Sequence, residues 1–202
     1  MLHQSYDDLA TDYDRRWSKY VDASLAFGLN DVNFDGHERV LDVACGTGTL
    51  ELRLLDQWPG LTIHSADASA PMVRQARAKA DSARVTWAAA DAHALPYCDH
   101  AFDRIFCFNA LHYFADPSRC VAECARVLAP GGAFWLMDWC DDYWTCKLCS
   151  LWLRFFEPAF KRTYGLKGAH ALLLENGFKI MLAERGRISP LWGLMRLHGI
   201  RP

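Results

Sequence analysis

The sequence predicts an α/β fold built on a doubly wound, mostly parallel sheet. Short apolar runs that suit strands alternate with stretches whose apolar residues recur at helical spacing. Several of these runs end in an acid and a turn, as at Asp42, Asp67 and Asp91. A glycine turn containing Gly46 and Gly48 joins the first run to a helical pattern. In open sheets of this kind such a turn is a ligand site at the carboxyl ends of the strands.

Length and composition favour one domain over residues 1–202. The chain is 51% apolar and 23% charged, which argues against disorder. Its net charge of -2, without a basic block, gives no electrostatic support to nucleic-acid binding. The polar, acidic start does not resemble a signal peptide, and the apolar stretch 105–115 is too short to span a bilayer. We therefore expect a cytoplasmic protein.

Eight cysteines raise the question of disulfides or a metal. Without a secretory signal, free thiols in a reducing compartment are expected. Cys120 and Cys124 lie one helical turn apart on an apolar face, which is typical of core thiols. Only Cys146 and Cys149, with Cys140 upstream, have a metal-like spacing, and no second pair matches them. The prediction is no metal, with a metal site as the less favoured alternative.

The N-terminal segment, residues 2–30, predicts one or two helices, because Tyr6, Leu9, Tyr13 and Trp17 recur at helical spacing. Beyond it the apolar pattern alternates between strand and helix. Strands are predicted up to Asp42 and at 61–66, 84–89, 102–108, 134–137, 178–183 and 188–197. The helices between them are predicted to end near 58–60, near Ala80, at 129–132 and at Gly177. The capping sequences are Ser69 with Pro71 and Asp116 with Pro117.

Two classes of ligand compete for the glycine turn. A dinucleotide site has a third glycine and places a diphosphate at the helix N-terminus. Here Glu51 stands at the third glycine position, and a carboxylate there would repel phosphate. Asp42, just before the turn, suits a cation. The charge pattern favours a cationic nucleoside without phosphate, and a nicotinamide-dependent oxidoreductase is the alternative.

The run from Asp42 to Gly48 resembles motif I, Asp-x-Gly-x-Gly-x-Gly, of the class I S-adenosylmethionine-dependent methyltransferases, and departs from it at Ala44. Residues 90–96 are similar to the family phrase Gly-Asp-Ala-x-x-Leu-Pro, and residues 126–134 to its turn into strand five. The pattern is close to that of the ubiquinone and menaquinone methyltransferases. The resemblance implies a Rossmann-like sheet of seven strands, of which the seventh is antiparallel, plus a helical cap.

The resemblance implies S-adenosylmethionine as the cofactor. The residues expected to bind it are Tyr13, Asp42, Ala44, Gly46, Gly48, Asp67, Ala68, Asp91, Ala92 and Asn109. Asp67 ends the second strand 25 residues after Asp42, as an acid that accepts from ribose hydroxyls does. Its alternative role is only to help start the next helix. By the same resemblance Asp91 and Ala92 meet the adenine, whereas the alternative for Asp91 is a polar turn residue.

Two segments are expected to cover the ligand site. Residues 1–30 would cap the cofactor, and residues 139–176 would form an aromatic insertion over the acceptor. So many rings suggest a small apolar or aromatic acceptor, although a helix covering the sheet edge explains them too.

His112 is the first candidate for a catalytic base and Asp138 the second. The alternative for His112 is a hydrogen bond within a helix start. The expected function is methyl transfer to a small molecule. A protein that binds S-adenosylmethionine without turnover is the second alternative, and the oligomeric state stays open.

Overall fold

The computed structural model describes the backbone of residues 2–80 and 83–202, and the side chains of residues 14–80 and 83–202. The strands are β1 Arg39–Val43, β2 Thr62–Asp67, β3 Val85–Ala89, β4 Phe102–Phe108, β5 Leu128–Trp139, β6 Lys179–Arg187 and β7 Gly193–Ile200. The helices are α1 Leu2–Gly28, α2 Thr49–Gln57, α3 Ala70–Lys79, α4 Pro117–Val127, α5 Trp144–Phe156 and α6 Leu166–Glu175. A short 3-10 helix, Leu111–Tyr113, follows β4.

The seven strands form one sheet in the order β3-β2-β1-β4-β5-β7-β6. The pairs from β3 to β5 are parallel, whereas β7 runs antiparallel to both of its neighbours, β5 and β6. This confirms the predicted sheet and its single antiparallel strand. The strand order reverses between β1 and β4, and at such a switch point the connections leave a crevice outside the strand ends.

Strands β1 and β4 are buried on both faces, as expected at the centre of a parallel sheet. Alternate residues enter two separate cores because side chains alternate along a strand. Leu41 and Ile105 pack with α4 and α6 on one face. Val40 and Phe106 pack with α1, α2 and α3 on the other. The N-terminal segment, a single helix in the structure, therefore belongs to the same layer as the first two crossover helices.

The predicted caps are confirmed. The Ser69 side chain accepts from the amide of Met72, and the Asp116 side chain accepts from the amide of Arg119. Each cap is followed by a proline in the first turn, where no amide is needed. These caps direct α3 and α4 away from the carboxyl edge of the sheet, so that their first turns border the crevice.

The boundary between α4 and β5 differs from the prediction. The helix ends at Val127 and the strand begins at Leu128, so residues 129–132 belong to the strand and not to the helix end. The cause is pairing with the end of the chain. Gly131 donates its amide to the carbonyl of Arg201, and Arg201 donates its amide to Gly132. A contact between distant parts of the chain leaves no local signal in the sequence.

All eight cysteines are free. Cys120 and Cys124 are buried in the core beneath α4, as predicted. Within residues 14–80 and 83–202, no three His, Cys, Asp or Glu side chains are placed to hold one metal ion. Cys146 donates to the carbonyl of Gly193 over 3.3 Å, whereas the thiol of Cys140 contacts Asp142 over 3.5 Å. Among the helices that the structure describes, none is long and apolar enough to cross a membrane.

Candidate functional site

A cavity of about 850 Å³ opens at the carboxyl edge of the sheet, where the strand order reverses. Its walls are the loops after β1, β2, β3 and β4, together with one face of α1. Asp42, Asp67 and Asp91, at the ends of three adjacent strands or just beyond, all line it. The volume lies in the range of small-molecule sites. The three acids that the sequence singled out therefore share one hollow.

The glycine turn forms the floor of this cavity. The amides of Ala44 and Cys45 both donate to the carbonyl of Ala66, at 2.8 and 3.1 Å, which bends the chain sharply after β1. Ala44 has a φ of 63°, in the left-handed region. Gly48 has a φ of 79°, and a Cβ atom there would lie 2.6 Å from the Trp87 ring. Gly48 does not line the cavity, and the close approach of Trp87 in β3 and Ala76 in α3 leaves no room for a side chain there.

Asp67 links two turns. One carboxylate oxygen accepts from the amide of Gly46 and the other from the amide of Ser69, both at 2.8 Å. The two proposed roles of Asp67 therefore do not exclude each other, because it starts α3 and also lines the cavity. A carboxylate can accept about four hydrogen bonds. These two bonds are thus compatible with further bonds to ligand hydroxyls.

Asp91 is held by His93, two residues later in the same turn. The Asp91 carboxylate accepts from the His93 amide at 2.9 Å and lies 2.6 Å from His93 Nδ1. On the far side of the ring, Nε2 accepts from the amide of Asp116. Partial burial opposes ionisation of Asp91, but the bonds from His93 outweigh it and lower its pKa. His93 lines the cavity and joins two of its walls.

Glu51 occupies a different place from the one expected. Its side chain is fully buried beneath the turn and does not line the cavity. Among the described residues neither carboxyl oxygen makes a hydrogen bond of standard geometry. Weaker contacts with Ser65, with its own amide and with Asp42, together with the charge of Lys79, partly oppose the effect of burial. Burial raises the pKa of Glu51 to about 7. Burial and the neighbouring Glu51 also raise the pKa of Asp42 well above its usual range.

The Asp42–Glu51 pair therefore retains a proton at pH values where exposed acids are ionised. The expectation that Glu51 repels phosphate as a first-turn carboxylate is wrong in that form, because the carboxyl faces the core and is partly protonated near neutrality. Asp42, which is itself almost completely buried, remains the acid of the pair that reaches the cavity.

Helix α1 is fastened across the cavity at two points. Asp14 accepts from the Thr47 hydroxyl and from Lys79, both at 2.6 Å, which joins α1 to the glycine turn and to α3. Farther along, Tyr20 donates to the side chain of Asn109 at 2.7 Å and accepts from Trp139 Nε1 at 2.6 Å. These bonds hold the helix in place as a wall of the site.

The wall formed by α1 contributes Val21 and Leu25 to the cavity. The side chain of Tyr13, expected to touch the cofactor, lies outside the described residues. Tyr20 brings an aromatic hydroxyl to the edge of the site, where it bonds Asn109 without itself lining the cavity, and sequence reasoning missed it. The helical stripe that includes Trp17 continues to Tyr20 three residues later, so extending the same periodicity by one step would have found it.

His112 and Asp138 are brought together, but not at the cavity surface. His112 Nδ1 lies 2.6 Å from Asp138 Oδ1, and the His112 amide donates to the other oxygen at 2.9 Å. The imidazole stacks on the Trp139 ring at 4.5 Å. The exposed fractions are only 2% for His112 and 1% for Asp138, and neither residue lines the cavity, whereas Tyr113 does.

Most of the residues expected to bind the cofactor line the cavity, whereas the expected aromatic insertion hardly reaches it. Of the ten residues expected to bind the cofactor, those that line the cavity are Asp42, Ala44, Gly46, Asp67, Ala68, Asp91, Ala92 and Asn109. The side chain of Asn109 is occupied by α1, so its carbonyl is the group left for a ligand. From the expected aromatic insertion only Ala159 and Lys161 reach the cavity, and the large rings of α5 are exposed.

Comparison with known proteins extends this picture. Residues 40–132 match the family described as Methyltransferase domain. The chain is 41% identical over 103 residues to a demethylmenaquinone methyltransferase of Thermus thermophilus, covering 50% of this chain and 47% of that protein. It is 38% identical over 93 residues to a malonyl-[acyl-carrier protein] O-methyltransferase of Hahella chejuensis, covering 46% and 33%. The chain therefore spans less than half the length of either relative.

The fold extends farther than the sequence similarity. A chain of the complex between the Haloferax volcanii Trm112 methyltransferase activator and a methyltransferase superposes with a TM-score of 0.84. The match covers 98% of this chain and 97% of that one, at 21% identity. At this identity the likeness concerns the fold alone, and it includes the segments on both sides of residues 40–132.

The left-handed conformation of Ala44 leads to a stability prediction. We expect Ala44→Gly to stabilise the protein by about 0.5–1 kcal/mol, because the relief of left-handed strain exceeds the entropy that glycine adds to the unfolded chain. Urea unfolding measures the change. The control is Ala68→Gly, at the equivalent turn after β2 but outside the left-handed region, which should destabilise. A loss of stability in Ala44→Gly would contradict the strain.

The buried acid pair leads to a pH prediction. Because the Glu51 pKa is raised from 4.5 to about 7, the folded protein binds more protons than the unfolded chain between those values, and stability falls as pH rises through that window. At pH 8 the raised pKa of Glu51 should lower the free energy of unfolding by an amount on the order of 3 kcal/mol. Glu51→Gln should flatten this fall in urea unfolding at pH 5 and pH 8. The control is Asp56→Asn, because Asp56 is an exposed acid on the same helix. The same fall of unfolding free energy with pH in the parent protein and in both variants would refute the buried proton.

Proposed function

We propose that the chain is a class I S-adenosylmethionine-dependent methyltransferase, which transfers a methyl group from S-adenosylmethionine to a small, apolar or aromatic acceptor. The observation that carries the proposal is the convergence of Asp42, Asp67 and Asp91 on one cavity beside a glycine turn. If they had faced different sides of the molecule, the proposal would have failed.

The residues present fit this cofactor. A Cβ at Gly46, whose φ is 55°, would meet nothing within 4 Å, so the turn leaves open space at its surface. Asp67 would accept from the ribose hydroxyls, and Asp91 with the Ala92 amide would meet the adenine. The Asn109 carbonyl and Asp42 would receive the ammonium group. When bound, the cofactor supplies a methyl group already activated by its sulfonium.

The charge of the cavity supports a cation over a diphosphate. The charged residues of its lining are Asp42, Asp67, Asp91, Asp116, Arg119 and Lys161. Arg119 is engaged with the His93 carbonyl at 2.9 Å, away from the glycine turn. A nicotinamide dinucleotide would therefore bring its phosphates to an acidic floor.

The acceptor side is apolar, which supports an apolar or aromatic acceptor. Val21 and Leu25 of α1 face the cavity together with Phe108, Tyr113 and Phe114. A quinone-like acceptor agrees with the relative named demethylmenaquinone methyltransferase, whereas the other relative is named for an O-methyl transfer. The role of these wall residues would be to align the acceptor behind the methyl group and to exclude water.

We propose that His112 and Asp138 position the acceptor wall and do not remove a proton themselves. Asp138 holds the amide and ring of His112, and the His112 carbonyl accepts from the amide of Lys161 at 2.9 Å. One residue thereby joins the corner after β4, the end of β5 and the segment after α5. Tyr113 and Lys161, which do line the cavity, depend on that junction.

A first prediction concerns the cofactor. Asp67→Ala should weaken binding of S-adenosylmethionine by about 1–3 kcal/mol, since it removes bonds to ligand hydroxyls. Calorimetry measures it, and circular dichroism checks that the turn survives. Asp103→Ala is the matched control, because this acid pairs with Arg39 outside the cavity. Unchanged affinity would refute the ribose assignment. Tight binding of NAD(P) without S-adenosylmethionine would refute the function.

A second prediction separates positioning from proton transfer. His112→Gln should raise KM for the acceptor while the pH profile of kcat keeps its shape, and Asp138→Asn should behave likewise. Loss of a general base would instead lower kcat by about 10²–10⁴ and remove a limb of the profile. Product formation from a panel of phenols, quinones and thiols provides the assay. No product with any of them, despite cofactor binding, favours a binding protein without turnover.

A further inference from the structure

Helix α5 exposes an unusually apolar surface. Of the large hydrophobic side chains exposed among the described residues, those on this one helix are Trp144, Leu148, Leu151, Trp152, Phe155 and Phe156, with exposed fractions from 54% to 77%. Trp152 and Phe156 stack on each other at 4.8 Å, on the outer side of the helix. A contiguous apolar surface of this size marks a site of interaction, because isolated proteins rarely keep one in water.

The arrangement on the helix is strongly one-sided. At 100° per residue, the six exposed side chains fall in one continuous sector, which we call the α5 apolar face. Cys146 and Leu153 lie on the opposite side and pack on the protein. Lys147 and Arg154, both exposed, lie side by side along one border of the α5 apolar face. The helix itself contains no acid.

The charge around the helix has the opposite sign from the rest of the chain. Residues 141–167 contain five lysines and arginines against three acids, a formal charge of +2 in a protein of net charge -2. A helix with aromatic and leucine side chains on one side and cations at the border is the pattern of helices that lie in a membrane interface. The cations can reach lipid phosphates while the rings enter the acyl boundary.

From these observations we propose that the α5 apolar face docks on an anionic lipid surface, with α5 in the plane of the interface. The location agrees with this. Ala159 and Lys161, three and five residues after the end of α5 at Phe156, line the cavity, and three residues of chain span at most about 11 Å. Docking would thus bring the cavity close to a bilayer in which an apolar acceptor dissolves. That last step rests on the proposed function; the docking itself does not.

The test is co-sedimentation of the whole chain with vesicles, without cofactor. Vesicles of phosphatidylcholine with about one third phosphatidylglycerol are compared with pure phosphatidylcholine. We expect binding to the anionic vesicles, weakened by salt. Trp152→Gln with Phe155→Gln should reduce the partition coefficient by about tenfold or more. Lys147→Glu with Arg154→Glu should remove the preference for anionic lipid.

The matched control replaces two exposed hydrophobic residues elsewhere, Leu174→Gln with Met181→Gln, and should bind as the parent does. Calorimetry with S-adenosylmethionine on each variant checks the fold and keeps failure of docking separate from failure of the proposed function. No binding to anionic vesicles, or equal loss in the control, would overturn the proposal. So would a dimer in solution that dissociates in the Trp152→Gln/Phe155→Gln variant, since a second copy would then cover the face.

Discussion

One carboxylate couples the two turns at the centre of the sheet, and the site depends on it. Asp67 accepts the amide of Gly46 from the loop after β1 and the amide of Ser69 at the start of α3. Parallel strands end at the same edge, so their loops must be held apart and oriented by side chains. The buried Ala66 carbonyl does the same for the amides of Ala44 and Cys45. Backbone groups that would otherwise be unpaired thus shape the floor of the cavity.

The walls are held by a different kind of bond, between side chains far apart in sequence. Tyr20 and Asn109 are 89 residues apart, and His112 and Asp138 are 26 apart. Such buried networks make the geometry specific, because a polar group that lost its partner there would carry a large desolvation penalty. The proposed positioning role of His112 rests on the same kind of contact, because its amide, its Nδ1 atom and its carbonyl all have partners in other elements.

Local signals explain which parts of the sequence interpretation were accurate. The strands, the caps at Ser69 and Asp116 and the acids at the strand ends follow from short patterns whose meaning hardly changes with context. The exposure of α5, the burial of Glu51 and the inward position of His112 depend on which face of an element meets another, and periodicity alone does not choose the face. The α4–β5 boundary shows the same limit, since Gly131 takes its partner from Arg201 at the end of the chain.

The buried position of Glu51 supports a cationic ligand in a different way from the one expected from the sequence. Two acids buried together, Asp42 and Glu51, share an environment that raises the pKa of both. Such a pair is stabilised by any positive charge that approaches it, and a proton is the smallest one available. A ligand ammonium beside Asp42 would replace the proton at the only member of the pair that reaches the cavity. The proposed preference for a cation would then depend on Asp42 in contact with the ligand and on Glu51 buried behind it.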